Sequence, residues 1–456
     1  MITALIIYLV LLILIAARSA RSVKDIPDFF VARKGASAKA VAGSLVATIL
    51  GGSAVIGAVD SGARLGGATS WFMLTGALGL LALIPFAGRA YSHGKYALPD
   101  LVENLYGKGP RLVASLVIPI AWTGIVAAQI IAAAKLLMTF TPMEYTTAAI
   151  VSAVVFTGYT LAGGQQSILR TDFLQACLII AGLLLLAGFA MFSGAGSTSS
   201  VIPTVNHSFP FNANFSPLDL FLLILTYGTT YTAGPDIFSR MFCAKDVQTA
   251  KKAIAMAAGT LIPVAFVIGY LAIFGTSLGD VQGARITAIA NAVLPPALLP
   301  VFALALLSVV LSSADTTLLS SSVIICRLFG MGNAADQGTA KKPLAKARGI
   351  ILLNGIVALL LALVFTDIIG TLLLALAVYA GAFTVPVLWG LLGLRAKPKF
   401  VAAAIIAGGA LALAGKLCPA LPNLPANLGA HTGDILMIAA FIVNAACLAL
   451  GKIRRT

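Results

Sequence analysis

The chain has 456 residues, 60% hydrophobic and only 10% charged, against about 25% charged in an average soluble domain. Lys and Arg total 30 and Asp and Glu 15, a formal net charge of +15, yet the basic residues stand in short clusters between long apolar runs. That arrangement belongs to an all-α, polytopic integral membrane protein whose first partner is the lipid bilayer, and it excludes a nucleic-acid binder, a disordered chain and a secreted disulfide scaffold. With 3 His, 5 Cys and no CxxC pair, neither a metal nor a thiol enzyme is expected.

Met1 to Ala17 form one apolar run, followed by Arg18, Arg21 and Lys24. A signal peptide carries its positive charge before the apolar run, so residues 2–17 are expected to stay as a first helix. Further stretches of spanning length, about 17–25 residues, fall at 39–63, 68–90, 111–140, 144–163, 170–193, 216–241, 251–276, 290–327, 348–366, 368–393, 399–416 and 434–451. That makes thirteen spans and puts the termini on opposite faces. Of the 30 basic residues, all but Arg64, Lys135, Arg285 and Lys416 then fall on one face. The positive-inside rule makes that face cytoplasmic, with the N-terminus outside and the C-terminus inside a plasma or inner membrane. Cys177, Cys243, Cys326, Cys418 and Cys447 lie in spans or near their ends, so no structural disulfide is expected.

Two spans are interrupted. The second reads KAVAGSLVATILGGSAVIGAVDSGA, with Gly51-Gly52 near its middle. The seventh reads SPLDLFLLILTYGTTYTAGPDIFSRM, with Ala233-Gly234-Pro235 inside it and Asp236 just after. Pro removes a backbone donor and breaks a helix, and at membrane depth a break persists only where protein or a cavity takes up the freed groups. The interrupted helices stand five apart, the spacing of two inverted five-helix repeats at 39–193 and 216–393 with a binding site where the breaks meet. Residues 1–38 then form an N-terminal extra helix and cytoplasmic loop, 194–215 an extracellular loop, and 394–456 two C-terminal extra helices. The bland alternative is a pair of kinked structural helices.

Carboxylates at membrane depth cost roughly 2.5–3.5 kcal/mol each and are functional candidates by default. Asp315 is the deepest, inside the hydroxyl-rich run SVVLSSADTTLLSSS, where Ser312, Asp315 and Thr316 share a helical face. An oxygen-rich face suits a hard cation, although Ser and Thr also bond back to their own helix. Asp172 reads either as a cap or partner for Arg170 or as a functional group. Asp60 and Arg64, four apart, read as a mutually neutralising pair, with Arg64 alternatively attracting an anionic solute at the outer mouth. Asp236 reads as a cap on the broken half-helix. An intramembrane hydrolase lacks a base, since His93, His207 and His431 are all placed in connecting segments.

Four stretches carry a resemblance over nearly the whole chain: YALPDLVENLYG (96–107), GGQQSILRTDFLQA (163–176), YGTTYTAGPDIFSRMFCAKDVQTAKKA (227–253) and VVLSSADTTLLSSSVI (309–324). In this order on thirteen spans they resemble the sodium:solute symporter family. The resemblance implies a LeuT-like 5+5 inverted repeat with broken first and sixth core helices, and symport of a small-molecule solute with Na⁺. It implies no organic cofactor, no enzymatic activity and no obligate protein partner.

Matched position by position, the resemblance implies a Na⁺ site from the carbonyls of Ala47, Leu50 and Val309 and the hydroxyls of Ser312 and Ser313. It implies a second cation site from Asp172, Asp315 and Thr316, shared with Ser312. The solute contacts implied are Ser53, Gln129, Tyr227, Tyr231 and Tyr379. The chain departs from several relatives in having Asp315 where they carry a hydroxyl, and Ile49 where some place an acid. A proton-coupled symporter, with Asp315 or Asp172 as the proton carrier, is the near alternative. Arg64 and the polar, partly aromatic pocket favour an amino acid or an organic anion as solute.

Overall fold

The long apolar runs all become helix, because a chain in hydrocarbon must satisfy its backbone polar groups within each segment. In the computed structural model residues 2–21, 23–193, 208–279, 281, 283–332, 341–417 and 426–453 are described. Most of the 194–215 connection, His207 and Cys418 lie outside the described residues. Among the described residues the only β structure is three isolated bridges.

Helix α1 (Ile2–Ala20) is followed by a broken helix, α2 (Ala38–Ile49) and α3 (Ser53–Asp60), whose halves are bent by 55°. Then come α4 (Gly62–His93), the short α5 (Leu98–Tyr106), α6 (Lys108–Phe140), α7 (Tyr145–Leu161) and α8 (Gly163–Phe192). The second half begins with another broken helix, α9 (217–233) and α10 (Pro235–Met241). It continues through α11 (Val247–Thr276), the short α12 (Arg285–Val293), α13 (Leu299–Leu328), α14 (Lys341–Val364) and α15 (Ile368–Leu391). Two further helices, α16 (Pro398–Leu417) and α17 (Ala426–Leu450), pack on each other and on α15. The two halves repeat one order of parts, each with a broken helix, a long helix, a short helix and three long helices.

Nine described helices are long and apolar enough to cross a membrane, or ten with α2 and α3 taken as one span. The stretch expected as a single span at 290–327 is two helices, because Pro295 and Pro296 stop α12 and the chain restarts at Leu299. His431 lies within α17 and His93 ends α4, so neither stands in a connecting segment.

Local chemistry sets the ends. Ser37 caps α2 by accepting the Ala40 N–H (3.3 Å). Asp246 caps α11 by accepting the Thr249 N–H (2.7 Å), a bond that holds its carboxyl below the usual carboxylate range. The turn between α7 and α8 falls at Gly164, whose φ of +56° is open to glycine and strained for other residues; a Cβ there would also meet the Phe29 ring at 2.5 Å.

Helix α13 runs through the centre, buried along nearly its whole length, with α6 and α8 against it. Helix α2 packs on α8, α11 and α13. The segment before α2 is bonded to the segment after α10, with Ala36 N–H to Cys243 O (2.9 Å) and Lys245 N–H to Ala36 O (3.2 Å). The two broken helices are thus tied at one end and lie beside α13 at their breaks.

Candidate functional site

Helical order in α2 stops at Leu50 (φ −76°, ψ 51°), which frees the carbonyls of its last turn. Two of them find partners on α13. Ser312 Oγ donates to Ala47 O (2.8 Å) and lies 3.4 Å from Val309 O; Ser313 Oγ donates to Thr48 O (2.7 Å). The approach depends on glycine, since a Cβ on Gly51 would lie 2.5 Å from Ser313 Oγ. The Gly52 N–H is taken by Gln129 Oε1 on α6 (3.1 Å). The structure thus brings together Ala47, Val309, Ser312 and Ser313, with Leu50 at the break itself, and adds Thr48. All the donor atoms are neutral oxygens, a set that fits Na⁺ and gives little purchase to a softer metal. Among the described residues no three His, Cys, Asp or Glu side chains converge to hold a metal.

Beside this cluster lies a cavity of about 40 Å³, and Ser53, Gln129, Tyr227 and Tyr231 are among its lining residues. Tyr227 and Tyr231 meet edge to face (ring centroids 5.1 Å apart), and Phe72 meets Tyr227 the same way at 6.1 Å. The wall also holds Thr48, Trp122, Thr230, Asp236, Ser313 and Thr317. Ser313 and Thr48 therefore belong to both the oxygen cluster and the cavity, so an ion and a solute would share a wall.

Tyr379 stands apart from the cavity lining. It is fully buried, T-shaped against Trp122 (4.5 Å), and its hydroxyl donates to Ala233 O at the second break. Its hydroxyl thus holds the end of α9, and its ring backs Trp122, which lines the cavity. Asp236 was read as a cap; it stands in the first turn of α10, and it also lines the cavity. The signal that could have found it is its place one residue after the Gly-Pro break, where the chain must turn toward the site.

The second group is built around a residue the sequence placed elsewhere. Arg240 was counted with the cytoplasmic basic cluster, yet its side chain is 0% exposed. Its guanidinium donates to Ser44 (3.2 Å), Ser239 (2.8 Å) and Thr316, and lies 3.9 Å from Asp172. Ser44 donates to Asp172, and Thr316 Oγ1 lies 3.3 Å from Asp315 Oδ1 and 3.2 Å from Thr48 Oγ1. Asp172, Asp315 and Thr316 thus come together as expected, but with a guanidinium among them. The physical reason is charge: two buried carboxylates are costly without a positive partner. The set still carries one more carboxylate than cation, and Asp172 Oδ1 and Asp315 Oδ2 meet no donor. Arg170 does not pair with Asp172; it reaches Ser19 (3.3 Å). Asp60 does not pair with Arg64; it accepts the Arg285 backbone N–H (2.7 Å).

Two broken helices beside an unbroken, hydroxyl-rich one, with a cavity at the breaks, make up a LeuT-like fold. Residues 29–408 match the model of the sodium:solute symporter family, and the chain belongs to that family. It is 26% identical to the sodium/proline symporter of Haemophilus influenzae, over 73% of this chain and 69% of that protein. It is 24% identical to the osmoregulated proline transporter OpuE of Bacillus subtilis, over 92% of this chain and 88% of that protein. In three dimensions it resembles a Na⁺-coupled sialic acid symporter solved in a substrate-bound outward-open state, with a TM-score of 0.75, 18% identity, and coverage of 100% of this chain and 98% of that one. The protein is therefore a multi-pass membrane protein of a family of Na⁺-coupled solute symporters.

Proposed function

We propose that the protein takes up a small solute bearing an ammonium group, an amino or imino acid, by alternating access, driven by Na⁺ held at Ala47, Leu50, Val309, Ser312 and Ser313. The observation that carries this reading is the shared wall: Thr48 and Ser313 border both the oxygen cluster and the cavity. An ion there would order the wall the solute touches, so each ligand would raise the other's affinity by the same factor. Asp236 on the wall favours an ammonium group over a purely anionic solute. Ser53, Gln129, Tyr227 and Tyr231 supply hydrogen bonds and aromatic faces, while Tyr379 steadies the break.

In this reading 39–193 and 216–393 are the two inverted repeats of a thirteen-span protein, with the N-terminus outside and the C-terminus in the cytoplasm. One positive charge moving down ~100 mV yields about 2.3 kcal/mol, enough for roughly 50-fold accumulation at about 1.4 kcal/mol per tenfold. The test is uptake into proteoliposomes under an imposed Na⁺ gradient. Proline comes first, because both relatives described above are named for it, and other amino acids follow. Na⁺-dependent uptake that Ser312→Ala abolishes is expected; a Na⁺ gradient that drives no amino acid would sink the proposal.

The orphan oxygens of Asp172 and Asp315 favour one second reading. A proton or a further cation would balance the odd carboxylate. Uptake driven by a pH gradient without Na⁺, and lost in Asp315→Asn, would make proton coupling the mechanism.

A further inference from the structure

The solute cavity is small beside a second concavity on the flank of the bundle. A groove of about 710 Å³ runs between α6, α14, α15 and α16. Its rim is apolar and open to the outside: Ile120 is 75% exposed, Val364 75% and Ile406 57%. These residues sit on membrane-spanning helices, so the medium facing the groove is hydrocarbon. Its floor is deep because small residues (Ala121, Gly124, Gly409) leave room. The polar lining gathers at one end, in Thr366, Asp367 and Thr371, where α14 passes into α15. Asp367 is the only charged residue among the described lining residues.

We propose that one phospholipid acyl chain fills this groove, from a lipid whose headgroup carries an ammonium that meets Asp367. The dimensions fit a single leaflet. Along α16 the groove runs from Ile405 to Leu413, about 12 Å at 1.5 Å per residue, against ~15 Å for half of a ~30 Å hydrocarbon core. An apolar trough closed by a carboxylate at the helix ends matches a chain with a cationic group at its head, and repels an anionic lipid. A vacant trough of this size would forfeit dispersion contacts along its whole lining. The groove also backs onto the helices that wall the solute cavity. Ala121 and Gly124 face the groove and Trp122 and Ile125 the cavity; on α15, Ala375 faces the groove and Leu376 the cavity. The lipid chain therefore buttresses α6 and α15 from behind.

The test is a count of lipid retained by the full chain after washing in mild detergent from an equal mixture of phosphatidylethanolamine and phosphatidylglycerol, with the melting temperature compared in nanodiscs of each lipid. Expected is one phosphatidylethanolamine retained per protein, with a higher melting temperature in that lipid. Ala410→Phe, which fills the groove, should lose both; Val364→Trp, which narrows its mouth, serves if the first variant fails to fold. Leu184→Phe, on a lipid-facing surface elsewhere, should lose neither. Asp367→Asn keeps the bond from the Gly370 N–H that caps α15 (3.0 Å) but removes the charge, and should lower the preference for ethanolamine over glycerol headgroups severalfold. Retention unchanged in the filled variants, equal retention of the two lipids by the native chain, or a disulfide between two copies at Ile406→Cys showing that a second chain fills the groove would each overturn the proposal.

Discussion

Replacing Arg240 with Met should be among the most destabilising single changes in the protein. The guanidinium is wholly buried and serves Ser44, Ser239 and Thr316, with Asp172 at 3.9 Å. Met fills much of the space, so the loss is chiefly electrostatic. Two carboxylates would remain buried with no positive charge beside them, and removing one partner of a buried pair costs about 3–5 kcal/mol. Asp172→Asn keeps the shape and leaves Arg240 facing Asp315, so its cost should be nearer 1–3 kcal/mol, about that of a disturbed buried hydrogen bond. If the charges are coupled, the double variant should lose about 0.5–3 kcal/mol less than the sum of the single losses. Unfolding by denaturant in detergent micelles, followed by circular dichroism, gives all three values. Arg240→Met within ~0.5 kcal/mol of the native protein, or strict additivity, would refute the argument that Arg240 offsets the buried carboxylates.

Three further outcomes follow from local geometry. Gly164→Ala forces a side chain into a φ of +56° and onto Phe29, and should cost at least ~1 kcal/mol, read by the same unfolding assay. Tyr379→Phe removes the hydroxyl on Ala233 O and should cost about 1 kcal/mol, while leaving solute selectivity unchanged in a competition assay because the ring faces Trp122. Asp236→Asn should raise the KM for an amino acid roughly 30-fold through loss of a charge-assisted contact worth about 2 kcal/mol; an unchanged KM would remove Asp236 from the solute site.

The parts legible in the sequence are those written in single helices. Gly51-Gly52 and Gly234-Pro235 announce the breaks because each carries its own backbone chemistry. The run from Val309 to Thr317 announces the oxygen face because its members share one helix at i, i+3 and i+4. What stayed hidden depends on how helices meet. Arg240 stands five residues before Lys245 and looks like part of a cytoplasmic cluster; only the approach of α8 and α13, carrying Asp172 and Asp315, draws it inside. Tyr379 lies on a helix that does line the cavity, but the turn of α15 gives that wall to Leu372 and Leu376. Asp60 is taken by the Arg285 backbone 225 residues away, a contact the i, i+4 rule cannot foresee. The lateral groove needs four helices and has no sequence signature at all.

The most direct test of the account asks whether Na⁺ binds where the first break meets α13. Thermal stability of the purified protein would be measured in NaCl, KCl and choline chloride at equal ionic strength, for the native chain and for Ser312→Ala. A ligand that binds only the folded state stabilises it by RT ln(1 + [L]/Kd), about 2.7 kcal/mol for ~100 mM Na⁺ at a millimolar site. The account predicts a Na⁺-specific rise in melting temperature that Ser312→Ala removes. Equal stability in Na⁺ and K⁺, or a Na⁺ effect that survives the substitution, would contradict it.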